Sequence, residues 1–186
     1  MTRYSPIQMA LHWLMALLII SAFGLIWYFH SIEITSAALF KLKAAVGAWH
    51  KWVGISVLVL VAIRLLWRAL RGAPQPLPNQ PRWQLVVAAA THLLLYLMMF
   101  SLPLIGWMMS SAKGYPVVLF NWVQLPDLVS RDLALGHQLA LLHKVVAYSL
   151  LALVGLHAAA ALKHHFLDRD DTLRRMLPIR HTGAPQ

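Results

Sequence analysis

Apolar residues gather into four runs along the chain, near residues 7–29, 44–70, 83–110 and 139–166, with few polar positions inside them. A helix rising about 1.5 Å per residue crosses a hydrocarbon core about 30 Å thick in roughly 20 residues, and every run is long enough. The pattern predicts an all-α fold, an integral membrane four-helix bundle in which residues 1–186 form a single membrane domain and residues 167–186 a tail. The first run stands behind Arg3 but exceeds the apolar stretch of about 7–15 residues usual in a secretory signal, so it reads as a retained helix.

Between the runs the signals change. Pro74, Pro76, Pro78 and Pro81 cannot continue a helix and mark residues 71–82 as a short linker. The connections at about 30–43 and 111–138 are longer, and the second carries Gly114, Pro116, Pro126 and Asp127. A short interfacial helix is expected near Trp122. Tyr4, Trp13, Trp27, Trp52, Trp67, Trp83 and Trp107 lie towards the ends of the apolar runs, as residues of an interfacial aromatic belt do.

Composition agrees with lipid exposure: 60% of residues are hydrophobic and 12% charged, where a soluble domain carries about 25% charged residues. The net charge of +10 raises the question of nucleic acid, but Lys and Arg sit at helix ends rather than along one polar face, so no nucleic-acid partner is expected. With the N-terminus inside, the cytoplasmic side collects Arg3, Arg64, Arg68, Arg71, Arg82, Lys163, Arg169, Arg174, Arg175 and Arg180. Lys41, Lys43, Lys51, Lys113, Arg131 and Lys144 lie opposite. Ten bases against six predict both termini cytoplasmic.

The chain has no cysteine, which removes disulfides, thiolate metal sites, iron–sulfur clusters and covalent haem attachment. Five of its ten histidines fall inside the predicted spans: His12, His50, His92, His143 and His157. No Asp or Glu joins them, so carboxylate-bound metals and carboxylate proton relays lose their usual partner. Imidazole alone suits the iron of a porphyrin, whose macrocycle supplies the other four ligands.

His143 and His157 are 14 residues apart, a rise of about 21 Å and nearly four whole turns, so one face of the last helix presents both. The first helix enters from the cytoplasm and sets His12 about 8 Å deep, level with His157; the second enters from outside and sets His50 about 9 Å deep, level with His143. The spacing predicts two haem b groups, His12/His157 on the cytoplasmic side and His50/His143 on the periplasmic side. A porphyrin also needs a small residue one turn from each ligand, and Ala16, Gly54, Ala147 and Ala161 stand four residues after these histidines, whereas Tyr96 follows His92. His92 is therefore read as a hydrogen-bonded bundle residue, with contact to a quinone or a haem propionate as the alternative. His30, His137, His164, His165 and His181 are read as interfacial.

Several stretches carry a family resemblance. They are His12-Trp13, Gly54-Ile55-Ser56 with Arg64-Leu65, and Leu102-Pro103-Leu104-Ile105-Gly106. The fourth span adds Gly155-Leu156-His157-Ala158-Ala159-Ala160-Ala161-Leu162, then His164-His165, then Asp171-Thr172-Leu173-Arg174-Arg175-Met176. From Tyr4 to Pro178 the chain resembles the bacterial cytochrome b561 family. The resemblance implies a multi-pass protein of the bacterial inner membrane with bis-histidine haems at His12, His50, His143 and His157. It also implies electron exchange with ubiquinone or a related quinone, and, in one family activity, oxidation of superoxide at the periplasmic face by an oxidoreductase.

Two histidines per iron leave no open coordination position, so the expected chemistry is electron transfer across a haem edge. Lys51 and Lys144 directly follow the outer ligands and are candidates for steering superoxide or pairing with propionates. The outer face carries six bases against Glu33, Asp127 and Asp132 and would draw small anions. Arg64, with Arg3 and Arg68, is the candidate for the inner propionates. Two other readings remain: a haem b subunit relaying electrons between a partner dehydrogenase or hydrogenase subunit and quinone, and a small transporter built on intramembrane histidines. Membrane lipid is the remaining expected partner.

Overall fold

The computed structural model describes residues 3–72, 74, 75, 77 and 80–177. Pro76, Pro78, Pro178, Arg180 and His181 lie outside the described residues. Four long helices carry the chain: α1 Pro6–Ser31, α2 Ala37–Arg71, α3 Arg82–Ala112 and α4 Leu133–Phe166. A small antiparallel hairpin, β1 Val118–Leu119 with β2 Val123–Gln124, lies between α3 and α4, and a 3-10 turn at Arg174–Met176 follows α4.

Local chemistry sets the helix starts. Ser5 accepts from the Gln8 amide at 3.3 Å while the Gln8 side chain accepts from the Ser5 amide at 3.2 Å, a reciprocal capping box ahead of Pro6. Ser36 caps α2 through the Leu39 amide, and Asp132 caps α4 through the Leu135 amide. These two caps correct the sequence expectation, which started α2 at residue 44 and α4 at residue 139. The added turns hold Lys41 and Lys43 in α2 and His137 in α4, so they do not register in a pattern built on lipid-facing residues.

The expected helix near Trp122 is also corrected. That segment is the hairpin, turned through Phe120 and Asn121 at φ 50° and 63° and closed by a bond from the Trp122 amide to the Leu119 carbonyl. An asparagine tolerates that left-handed backbone and a helix does not.

Helix α1 packs along α2, α2 along α3 and α3 along α4. The helices bury little of their surface in one another: Leu17, Ile20, Leu66, Val86, Leu141 and Leu156 are all more than 60% exposed. Only hydrocarbon can cover so much apolar surface. The chain spans the bacterial inner membrane four times, as an all-α bundle.

Each end of the bundle is tied by polar contacts. At the terminal end, the Gln8 side-chain Nε2 donates to the Gly72 carbonyl, Trp13 Nε1 to Met176 O at 2.8 Å, and Arg175 to Gln75 O at 2.9 Å. At the hairpin end, Trp52 Nε1 donates to Val118 O at 2.7 Å and Trp107 Nε1 to Pro126 O at 3.1 Å. The core lies midway, where Ile19, Phe23 and Val57 meet Leu18, Met99, Ala147 and Leu151. On α4 this plug falls between His143 and His157.

Candidate functional site

The four helices bring the intramembrane histidines together in two layers. In the layer nearer the termini, His12 of α1 faces His157 of α4 with ring centroids 6.2 Å apart and ring planes at 72°. In the layer nearer the hairpin, His50 of α2 faces His143 of α4 at 6.3 Å and 76°. Neither α1 nor α2 packs on α4 as closely as it packs on its sequence neighbours, so the imidazoles face each other across a gap.

The spacing can be tested against a haem. A nitrogen sits about 1.1 Å from the centre of its imidazole and binds a first-row metal at about 2.0–2.1 Å, so two imidazoles on opposite sides of one metal have centroids about 6.2–6.4 Å apart. Both pairs meet that requirement. The ring positions also have room beside them: a Cβ added at Gly54, one turn from His50, would meet no atom within 4 Å. The residues present fit a bis-histidine haem in each layer.

The second nitrogens differ. His50 Nδ1 lies 3.0 Å from the Ala22 carbonyl and donates to it, which leaves Nε2 as the bare nitrogen a metal needs. His143 presents its Nδ1 and Cε1 edge to α3, where a Cβ at Gly106 would sit 3.2 Å and 3.0 Å from those atoms and 4.0 Å from Nε2. Its Nε2 therefore points away from α3, and its buried Nδ1 edge faces the backbone of that helix at Leu102 and Gly106. Helix α3 approaches the ring this closely because residue 106 has no side chain. An isolated glycine inside a helix that already holds Pro103 is the sequence signal for such an approach.

His12 carries a different contact. Arg64 Nη1 lies 3.1 Å from His12 Nδ1, and Arg64 Nε donates to the Tyr96 hydroxyl at 3.1 Å. A guanidinium only donates, so Nδ1 accepts and the proton sits on Nε2. Arg64 must leave Nδ1 before His12 can bind a metal through Nε2. A propionate in the same layer would give the guanidinium a stronger, charged acceptor.

His92 of α3 comes within 5.4 Å of His157, ring centre to ring centre. That is about 0.8 Å too short for two imidazoles on opposite sides of one metal. It stands beside the layer rather than across it, with Arg64 and Arg68 nearby. This approach depends on how α3 is rotated, which spacing does not reveal.

Lys51 Nζ donates to the Pro116 carbonyl at 3.2 Å, half-buried beside His50. Lys144 is exposed and forms no ion pair among the described residues. At the other end, His164 Nδ1 lies 3.0 Å from Asp168 and 2.9 Å from Asp170, so this histidine has carboxylate neighbours that the interfacial reading did not include. Burial pushes the Asp170 carboxyl up, but hydrogen bonds from Thr172 and the nearby His164 outweigh it and hold the group below its usual range.

Four apolar spans with paired imidazoles facing across two gaps define a membrane cytochrome of the b type. The comparisons agree: the family model described as prokaryotic cytochrome b561 matches residues 3–178. The chain is 35% identical to cytochrome b561 homolog 2 of Escherichia coli strain K12, covering 94% of this chain and 91% of that one. It is 31% identical to the probable superoxide oxidase CybB of Yersinia pestis, over 95% and 96% of the two chains. It is 29% identical to cytochrome b561 homolog 1 of Escherichia coli strain K12, over 97% and 99%. The protein belongs to the prokaryotic cytochrome b561 family, which binds b-type haem and transfers electrons in the membrane.

Proposed function

We propose that this chain holds two b haems, one between His12 and His157 and one between His50 and His143, and carries electrons from superoxide to ubiquinone. The observation that supports the reading most strongly is the pair of 6.2 Å and 6.3 Å imidazole separations, set 14 residues apart on one helix. When bound, haem would supply a one-electron iron couple, and with two histidines committed to each iron, donors and acceptors would need only to reach its edge.

The protein's own residues do the rest. His50 is oriented by the Ala22 carbonyl, and His143 by its contact with the bare backbone at Gly106. Arg64, now on His12 Nδ1, would be the residue to hold the inner propionates. Ile19, Phe23, Val57 and their neighbours keep the space between the layers dry. Both termini are taken as cytoplasmic on the basic residues, which makes the hairpin end periplasmic.

Superoxide is a small anion, and Lys51 and Lys144 directly follow the histidines of the hairpin-end layer. Their charge would raise its local concentration there. The similarity to a probable superoxide oxidase adds support for that substrate. Two superoxide anions give two dioxygen molecules and two electrons; one quinone takes two electrons and two protons to become the quinol.

The test is to mix purified, oxidised protein with superoxide in a stopped-flow instrument and follow the b-haem bands, with and without a short-chain ubiquinone. Rapid reduction, followed by reoxidation with quinol formation, is expected. Two haems that do not respond to superoxide would overturn the substrate and favour a relay fed by a partner redox subunit.

A further inference from the structure

We infer that the α1–α2 face of the hairpin end binds one anionic phospholipid, its phosphate held by Lys43 and Lys51 and its chains running down the groove between the two helices. Two adjoining cavities carry the inference. The upper one, about 610 Å³, is lined by Phe29, Phe40, Gly47, Lys43 and Lys51, with Tyr115 closing one side. The lower one, about 420 Å³, has no charged residue in its lining: Leu14, Leu18, Ile55, Val59 and Leu60 make it apolar.

The two cavities share no residue but are lined by successive positions of the same elements. Positions 40, 44, 47, 51, 55 and 59 of α2 recur every three or four residues and so form one continuous stripe that passes from the upper cavity into the lower. On α1, Leu14, Leu18 and Phe29 fall on a single face in the same way. The hairpin stands at the junction, Val118 lining the upper space and Leu119 the lower. An apolar groove that carries two ammonium groups at one end and none at the other is the complement of an amphiphile with a negative head.

The charges favour an anion over a neutral head such as a quinone. Lys43 Nζ donates to the Ile32 carbonyl at 2.9 Å and Lys51 Nζ to the Pro116 carbonyl at 3.2 Å, and neither meets a carboxylate among the described residues. Each ammonium has three donors, so both have hydrogens left for a phosphate. At the hairpin tip Trp122 is 90% exposed, aromatic surface suited to the headgroup region.

The inference does not depend on the haem assignment, and its test reads lipid rather than electron transfer. The detergent-purified protein is exchanged against mixed vesicles of phosphatidylglycerol and phosphatidylcholine, stripped, and weighed by native mass spectrometry. One phosphatidylglycerol per chain is expected to remain in clear preference to phosphatidylcholine. A surface lysine contributes about fivefold to anionic-lipid binding, so Lys43→Gln should lower retention about fivefold and Lys43→Gln with Lys51→Gln about 25-fold. Ile55→Trp, which fills the lower cavity, should lower it without changing any charge. Unaltered helix content and an unaltered elution volume in detergent show that each variant is folded. Equal retention of the two lipids, no loss in Lys43→Gln, displacement by glycerol 1-phosphate at matched concentration, or displacement by ubiquinone would each overturn the inference.

Discussion

Replacing Gly106 by alanine tests how tightly α3 fixes His143. The added methyl would lie 3.0 Å from His143 Cε1 and 3.2 Å from Nδ1. Carbon–carbon contacts settle at about 3.5–4.0 Å, so the ring must retreat by about 0.5 Å or α3 and α4 must part by as much. Overpacking of this kind costs about 1–3 kcal/mol. Alanine regains about 1 kcal/mol of helix propensity over glycine, so the helix itself does not suffer. The strain falls on the ring, whose 6.3 Å spacing to His50 leaves almost no slack for a shared metal. If the ring takes all of it, haem retention in that layer should fall about fivefold to 150-fold, at tenfold per 1.4 kcal/mol. The assay is haem per chain by pyridine haemochrome, with a redox titration to separate the two components. Gly106→Ala should lose or shift the hairpin-end component alone, with helix content and the other component unchanged. Two haems per chain with both potentials as in the parent would refute the reasoning.

Three further outcomes follow from the geometry. His92→Phe should keep both haems, because a 5.4 Å approach to His157 does not suit a ligand pair; loss of a haem, measured by the same haemochrome assay, would make His92 a ligand. Arg64→Gln should retain the inner haem but lower its midpoint potential, since a positive charge beside His12 is lost; an unchanged potential in a redox titration would remove Arg64 from its proposed role at the propionates. Asp170 is depressed below 3.8, so the stability it lends is present above that pH and lost as pH falls below it. The protection factor of the Thr172 amide, its exchange compared with an unstructured amide at the same pH, should therefore fall as pH drops below the usual carboxylate range in the parent, and Asp170→Asn should show no such pH step.

The spans were legible because lipid imposes long apolar runs, and the facing of His12 with His157 and of His50 with His143 followed from depth in an up-and-down bundle. The starts of α2 and α4 were not legible, because Ser36 and Asp132 cap turns that stand outside the apolar pattern. The hairpin escaped notice because strands of two residues leave no period to read. The roles of Gly106, Tyr96 and His92 depend on the rotation of α3 about its own axis. That rotation is fixed by packing against α2 and α4, and the fairly even apolar surface of α3 gives no stripe from which to infer it. The Arg64 contact with His12 joins residues 52 apart, and only the packed bundle brings them together.

The most direct measurement is haem per chain, by pyridine haemochrome and redox titration, in the parent and in four single variants: His12→Ala, His157→Ala, His50→Ala and His143→Ala. Two b haems are expected in the parent, with the first two variants losing one and the same component and the last two losing the other. A single haem in the parent, or His12→Ala and His157→Ala removing different components, would contradict the paired-histidine arrangement.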